Sequence, residues 1–174
     1  LLSFNGEIYN YQDLARSLGR HDQTVSGKSD TEVLFHCLQL WPIDKTLRML
    51  DGMFAFAFFD RLENKLFLAR DPLGEKPLYW ARTKTAIFFA SQTRALLNAE
   101  EISNTPNHSL IDDYFYTGTI NGSQTFFRDI EEVEPGTVIC INMGSGKSPK
   151  KERYWSVTAC LTSGESHNQG SIYP

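Results

Sequence analysis

Two periods of apolar residues alternate along this chain. MFAFAFFD, Met53 to Asp60, is apolar almost throughout and too short for an ordinary helix. It predicts a strand buried on both faces. Phe54, Phe56 and Phe58 point one way, and Ala55 and Ala57 the other. The small face lets a neighbouring layer come close. RLENK is a polar turn, and KLFLARD, Lys65 to Asp71, is the returning strand. LYWAR and AIFFAS predict a second hairpin across Thr83-Lys84-Thr85, and Thr137 to Asn142 a further strand entered through Pro135-Gly136.

Helical spacing appears elsewhere. NYQDLARSLG, residues 10 to 19, predicts a short helix stopped by Gly19. A polar loop follows, ending at Gly27-Lys28. In SDTEVLFHCLQLW, Ser29 and Glu32 have capping-box spacing. Val33, Cys37 and Trp41 share one face, with Leu34 and Leu38 beside them, until Pro42 ends the helix. DKTLRML adds a turn or two before Asp51-Gly52. TRALLNA and SLIDDYFYTG predict short helices, the second ending at Gly118. GSGKSPKKE reads as a polar loop. After Tyr154-Trp155 the chain is rich in Ser, Gly and Asn, without clear periodicity. It reads as a linker or a truncated neighbouring domain. Strands held in hairpins between irregularly placed helices predict an α+β fold with antiparallel sheet.

Composition narrows the classes. The 174 residues are 41% hydrophobic, enough for a globular core. Seventeen basic against 21 acidic residues give −4, no reason to expect nucleic-acid binding. No apolar run reaches membrane-spanning length, and no signal segment opens the chain. Cys37, Cys140 and Cys160 form neither a metal motif nor a disulfide framework, so a reducing cytosol is expected. Asn107-His108-Ser109 and Asn121-Gly122-Ser123 are read as chance matches to the glycosylation pattern. Leu1 is not Met and reads as lying inside a strand, so the chain is expected to be a fragment cut at both ends.

SFNGEIYN, Ser3 to Asn10, carries the candidate chemistry. It reads as an apolar strand end running into a sharp Asn5-Gly6 turn. Such a turn can aim an amide side chain and a backbone N–H at one point, as an oxyanion hole requires. Asn-Gly is also a common turn with no function at all. Glu7 is open between a ligand and a solvated turn carboxylate. Asp30 is open between a ligand and a helix-start carboxylate favoured by the helix dipole.

Five ordered segments, SFNGEIYNY, SDTEVLFHCLQLW, LDGMFAFAFFD, LFLARDPLGEKPLYW and FFASQTRALL, resemble the glutamine amidotransferase domain of glutamine-dependent asparagine synthetase. The resemblance implies an N-terminal-nucleophile hydrolase fold, a four-layer sandwich of two stacked antiparallel sheets between helical layers, incomplete here at its N-terminus. It implies residues 1-100 as the amidotransferase domain and 101-155 as its end and connection to a synthetase domain. Residues 156-174 are then a linker or the truncated start of that domain.

In that family an N-terminal Cys attacks the side-chain amide of glutamine, with its own α-amino group as base. The released ammonia amidates ATP-activated aspartate in the second domain. Asn5 and Gly6 fall at the family's oxyanion hole, and Gly6 also lets substrate approach. Glu7 and Asp30 fall at its glutamine-binding carboxylates, which suit an α-ammonium. The nucleophilic Cys, the upstream arginine that holds the glutamine carboxylate and the Ser-Gly-Gly-x-Asp-Ser loop are absent from these 174 residues, and Gln92-Thr93 replaces the usual Glu-aliphatic pair.

The resemblance therefore implies glutamine as substrate here and no cofactor in this fragment. ATP with Mg, and aspartate, belong to the missing synthetase domain. Neither nucleic acid nor membrane is an expected partner, and a homodimer stays open. The alternatives are a paralogue amidating another carboxylate acceptor and a degenerate, non-catalytic domain. Arg70, Asp71 and Lys76 are read as a structural loop with a local ion pair. GSGKS, residues 144 to 148, lacks the first glycine of a phosphate loop, where Ile141 stands. Cys37 is read as an inert buried thiol. The four histidines, His21, His36, His108 and His167, show no metal-ligand spacing.

Overall fold

The computed structural model describes residues 1–19, 29–120 and 122–163. The polar loop ending at Gly27-Lys28, the tail beyond Ser163, His21, His167 and Asn121 of the second glycosylation tripeptide lie outside these residues. Two antiparallel sheets and six helices make up the described chain.

The larger sheet has five strands in the order β1-β2-β3-β7-β8. They are β1 (Leu2–Ile8), β2 (Gly52–Asp60), β3 (Lys65–Arg70), β7 (Thr137–Asn142) and β8 (Lys150–Arg153). The smaller sheet is β5-β4-β6, with β4 (Tyr79–Arg82), β5 (Ile87–Ala90) and β6 (Glu131–Glu132). The helices are α1 (Tyr11–Gly19), α2 (Asp30–Leu40), α3 (Ile43–Met49), α4 (Thr93–Leu96), α5 (Ser109–Thr117) and α6 (Val157–Ser163).

The alternation of β2 divides the core. Phe54, Phe56 and Phe58 pack with Leu14, Leu18, Val33, Leu34 and Cys37 beneath helices α1 and α2. Ala55 and Ala57 turn the other way, into a second core with Leu66, Leu68, Trp80, Val133 and Ile139 between the two sheets. Phe54 and Phe56 are almost fully buried. Burial of each contributes about 1.5–3 kcal/mol. A third cluster, Ala81, Leu96, Ile102 and Ile130, covers the outer face of the smaller sheet.

RDPLGEKP, Arg70 to Pro77, joins the sheets through a buried polar knot. The Asp71 carboxylate accepts N–H bonds from Phe54 (3.3 Å), Leu73 (3.0 Å), Glu75 (3.0 Å) and Lys76 (2.9 Å). The Arg70 guanidinium donates to the carbonyls of Lys76, Gly74 and Val133, each at 2.8 Å. It also pairs with Glu132 at 2.6 Å. That partner belongs to β6, so the ion pair is long-range and crosses between sheets; it is not local to the loop. The Tyr154 hydroxyl donates to the Arg70 carbonyl at 2.7 Å, and burial, then Asp71, raises this phenol. Arg70 and Asp71 are thus spent on holding backbone.

Several expectations change. Asn5-Gly6 is no turn: both lie within β1, opposite Ala55 and Phe54 of β2. Gly6 has φ 149°, and a Cβ there would overlap the Met53 carbonyl and lie 2.7 Å from Phe54 Cα. Close strand contact therefore holds this glycine extended. The turn comes later, at Tyr9-Asn10. There the Asn10 amide clamps the Met49 carbonyl (2.8 Å) and the Asp51 N–H (3.1 Å).

Ser29 is the N-cap of α2 but makes no side-chain cap bond. Asp30 takes that part, accepting the Thr31 N–H at 2.7 Å. The polar stretch after β7 contains β8, all of whose residues are exposed. An edge strand built from charge shows no apolar alternation. Helix α6 likewise follows Trp155, where no periodicity was visible.

Candidate active site

β1 is an edge strand bonded only to β2. Its pattern puts Ser3, Asn5 and Glu7 on an exposed face, with Ile8 buried on the other and Phe4 packed there. The cross-strand partner of Asn5 is Ala55, which belongs to the core between the sheets. Asn5 therefore faces the second sheet, at the open rim of the gap. There its Nδ2 donates to Ser91 Oγ at 3.1 Å. Ser91 follows β5 directly and is half-buried.

The hydrogen-bond alternation of β1 fixes where backbone groups point. Leu1 and Phe59 exchange both bonds, at 2.9 and 2.8 Å, and Tyr9 N–H donates to the Asp51 carbonyl at 2.7 Å. Odd-numbered residues therefore bond to β2, and even-numbered ones direct N–H and C=O to the outer edge. Ile8 N–H accordingly leaves β2 and donates to Asp30 Oδ2 at 3.1 Å. Gly6 N–H lies on the same edge, one residue along from the Asn5 amide. Two neutral donors thus adjoin on an open rim.

Glu7 is exposed on the Asn5 face. Beside it stands Tyr9, whose phenol is raised by desolvation and then by Glu75, Glu7, Asp51 and Asp71. These carboxylates give the rim a negative potential, which favours a cationic group. Asp30 starts α2 and latches that helix to Ile8. The structure places Asn5, Gly6 and Glu7 on one strand and ties Asp30 to its end. Sequence reasoning missed Ser91 and Tyr9. Ser91 stands in the FFAS segment, but only its contact 86 residues away gives it a place here.

Other candidates lie elsewhere. Cys37 is fully buried in α2, and burial pushes its thiol up to about 12. Cys140 faces the helical side of the sheet, since its partner Phe67 packs there. Both are thus on the opposite side of the sheet from Asn5. A thiol-specific reagent at pH 8 is expected to leave Cys37 unmodified in the native protein and to label it only in denaturant. Labelling of Cys37 at equal rates in both states would contradict this burial.

Residues 144 to 148 form the hairpin turn between β7 and β8, with Gly144 and Gly146 at φ 77° and 66°. They lead into a strand, not a helix, so they lack the helix N-terminus that a phosphate loop uses. Among the described residues, no cluster of three or more His, Cys, Asp or Glu could hold a metal. No described helix is long and apolar enough to cross a membrane.

Two stacked antiparallel sheets with helices packed against their outer faces are an arrangement this chain shares with a solved amidotransferase. Residues 1–155 match the family model described as a glutamine amidotransferase domain, and the chain belongs to that family. Asparagine synthetase (glutamine-hydrolysing) 3 of Bacillus subtilis is 33% identical over 155 residues, 88% of this chain and 25% of the relative. The Gallus gallus asparagine synthetase (glutamine-hydrolysing) is 39% identical over 98 residues, 56% of this chain and 17% of the relative. Among solved structures, glutamine phosphoribosylpyrophosphate amidotransferase from B. subtilis superposes with a TM-score of 0.60 at 27% identity. That match covers 88% of this chain and 29% of that one. The chain thus spans about a quarter of the length of the curated relatives it matches.

Proposed function

We propose that this domain hydrolyses glutamine and supplies the ammonia for ATP-dependent amidation of aspartate to asparagine. The observation that carries the reading is the pair of donors at the rim, Asn5 Nδ2 and Gly6 N–H, with Asp30 latched to Ile8 beside them. Attack of a thiolate on the glutamine side-chain carbonyl breaks its π bond and places negative charge on oxygen. Asn5 and Gly6 donate to that oxygen. Glu7 and Asp30 hold the α-ammonium by charge-assisted hydrogen bonds, helped by the acidic surroundings of Tyr9. The Gly6 donor, part of a paired strand's backbone, needs no rearrangement as the charge appears.

The attacking Cys is supplied outside residues 1–174 in this reading: Cys37 and Cys140 lie across the sheet from Asn5, and Cys160 stands within helix α6, not at a chain terminus where an N-terminal nucleophile must be. The 174-residue chain alone is then expected to release no ammonia from glutamine above the uncatalysed background. Measurable turnover by the purified chain would overturn this. ATP with its Mg, and aspartate, bind outside these residues too. The segment from 144 to 148 offers no substitute site.

The test is an assay of the full-length protein with glutamine, aspartate and ATP, following glutamate and asparagine. The proposal expects both products. Glutamate without asparagine would keep the glutaminase and assign another acceptor. Neither product would leave a non-catalytic domain.

A further inference from the structure

We propose that Ser91 is a positioning residue for the Asn5 amide, and that glutamine hydrolysis therefore depends on the docking of the smaller sheet against the larger. The inference rests on the reading of Asn5 as an oxyanion donor and assigns a role to a second residue at that site. Asn5 stands on the exposed face of an edge strand, where its side chain has water on one side. An asparagine there is free to rotate about two torsions. Stabilisation of a developing oxyanion needs the donor already aimed, since reorientation during the reaction costs part of the benefit.

The side-chain hydrogen bond that holds the Asn5 amide comes from the other sheet. Nδ2 donates one hydrogen to Ser91 Oγ at 3.1 Å. A primary amide nitrogen carries two hydrogens in one plane. Once the first is given to Ser91, the plane is set and the second remains for the substrate oxygen. Ser91 itself is held, because it is half-buried and directly follows β5, whose Phe89 pairs with Trp80 of the inter-sheet core. The hydroxyl never touches the reacting atoms in this account. It acts only through Asn5, so its removal affects turnover and leaves glutamine binding alone.

The experiment measures glutaminase kcat and KM for glutamine in the full-length protein, for Ser91→Ala, Ser91→Thr, Asn5→Ala and the double variant. Loss of one neutral orienting hydrogen bond is expected to lower kcat about tenfold in Ser91→Ala. KM is expected to stay within about twofold, as for an interaction felt only in the transition state. Ser91→Thr keeps the hydroxyl and is expected to restore most of kcat. The double variant is expected to fall no further than Asn5→Ala, because the serine has nothing left to orient.

Three results would overturn the role: unchanged kcat in Ser91→Ala, a raised KM at unchanged kcat, or a double variant that loses the full product of both single effects. If Asn5→Ala itself keeps wild-type kcat, the oxyanion reading fails first and takes the role of Ser91 with it. A loss in Asn5→Ala without one in Ser91→Ala defeats only the present inference.

Discussion

Replacing Asn5 by Ala is expected to lower glutamine-dependent turnover of the full-length protein about 10²–10³-fold, the usual effect of losing one oxyanion donor. Synthesis driven by added ammonia should be nearly unchanged, because that route bypasses the attack on glutamine. The magnitude separates this role from a structural one. In the structure Asn5 makes one exposed neutral hydrogen bond, to Ser91. Such a bond contributes about 0.5–1.5 kcal/mol. A hundredfold loss corresponds to about 2.7 kcal/mol, more than that bond alone supplies. Steady-state rates with glutamine and with ammonium salts make the comparison. Equal losses with both nitrogen sources would show that Asn5 holds the sheets together and does no chemistry.

The largest effect on stability is expected from Asp71→Ala. This carboxylate is 1% exposed and accepts four backbone N–H groups. Its removal strands those donors in a buried loop, while Arg70 keeps its pairing with Glu132. A cost of about 3–5 kcal/mol is expected, from several buried donors each losing a charged acceptor. The mutation also reaches the candidate site. Asp71 fixes Phe54, and Phe54 is the register partner of Gly6. Urea unfolding of wild-type and variant protein measures the difference. A change under about 1 kcal/mol would mean that water replaces the carboxylate without penalty.

What was legible in the sequence followed burial. The Phe/Ala alternation of β2 and the apolar face of α2 are visible because one period serves one core. β8 was invisible for the opposite reason: its four residues are exposed and charged, and its strand state comes from pairing with β7. β6 is two residues long, too short for any period. The Asn5-Gly6 dipeptide misled because its local preference is a turn, and pairing with β2 overrides that preference. For the candidate site, the residues of β1 and the start of α2 were singled out through a resemblance. Spacing alone left Glu7 and Asp30 open. Ser91 was hidden because a contact between two sheets has no signature in either segment.

The place of β7 between β3 and β8 has a consequence for biosynthesis. β1, β2 and β3 can form their meander as soon as residue 70 has left the ribosome. The far edge of β3 then waits for Thr137–Asn142, about 70 residues downstream. At about 5–20 residues per second the delay is several seconds. Throughout it, Leu66 and Leu68 sit beside an unsatisfied ladder, and the alanine face of β2 lacks its cover. The nascent polypeptide is therefore most vulnerable to aggregation in that interval, and this is when a holdase chaperone would engage it.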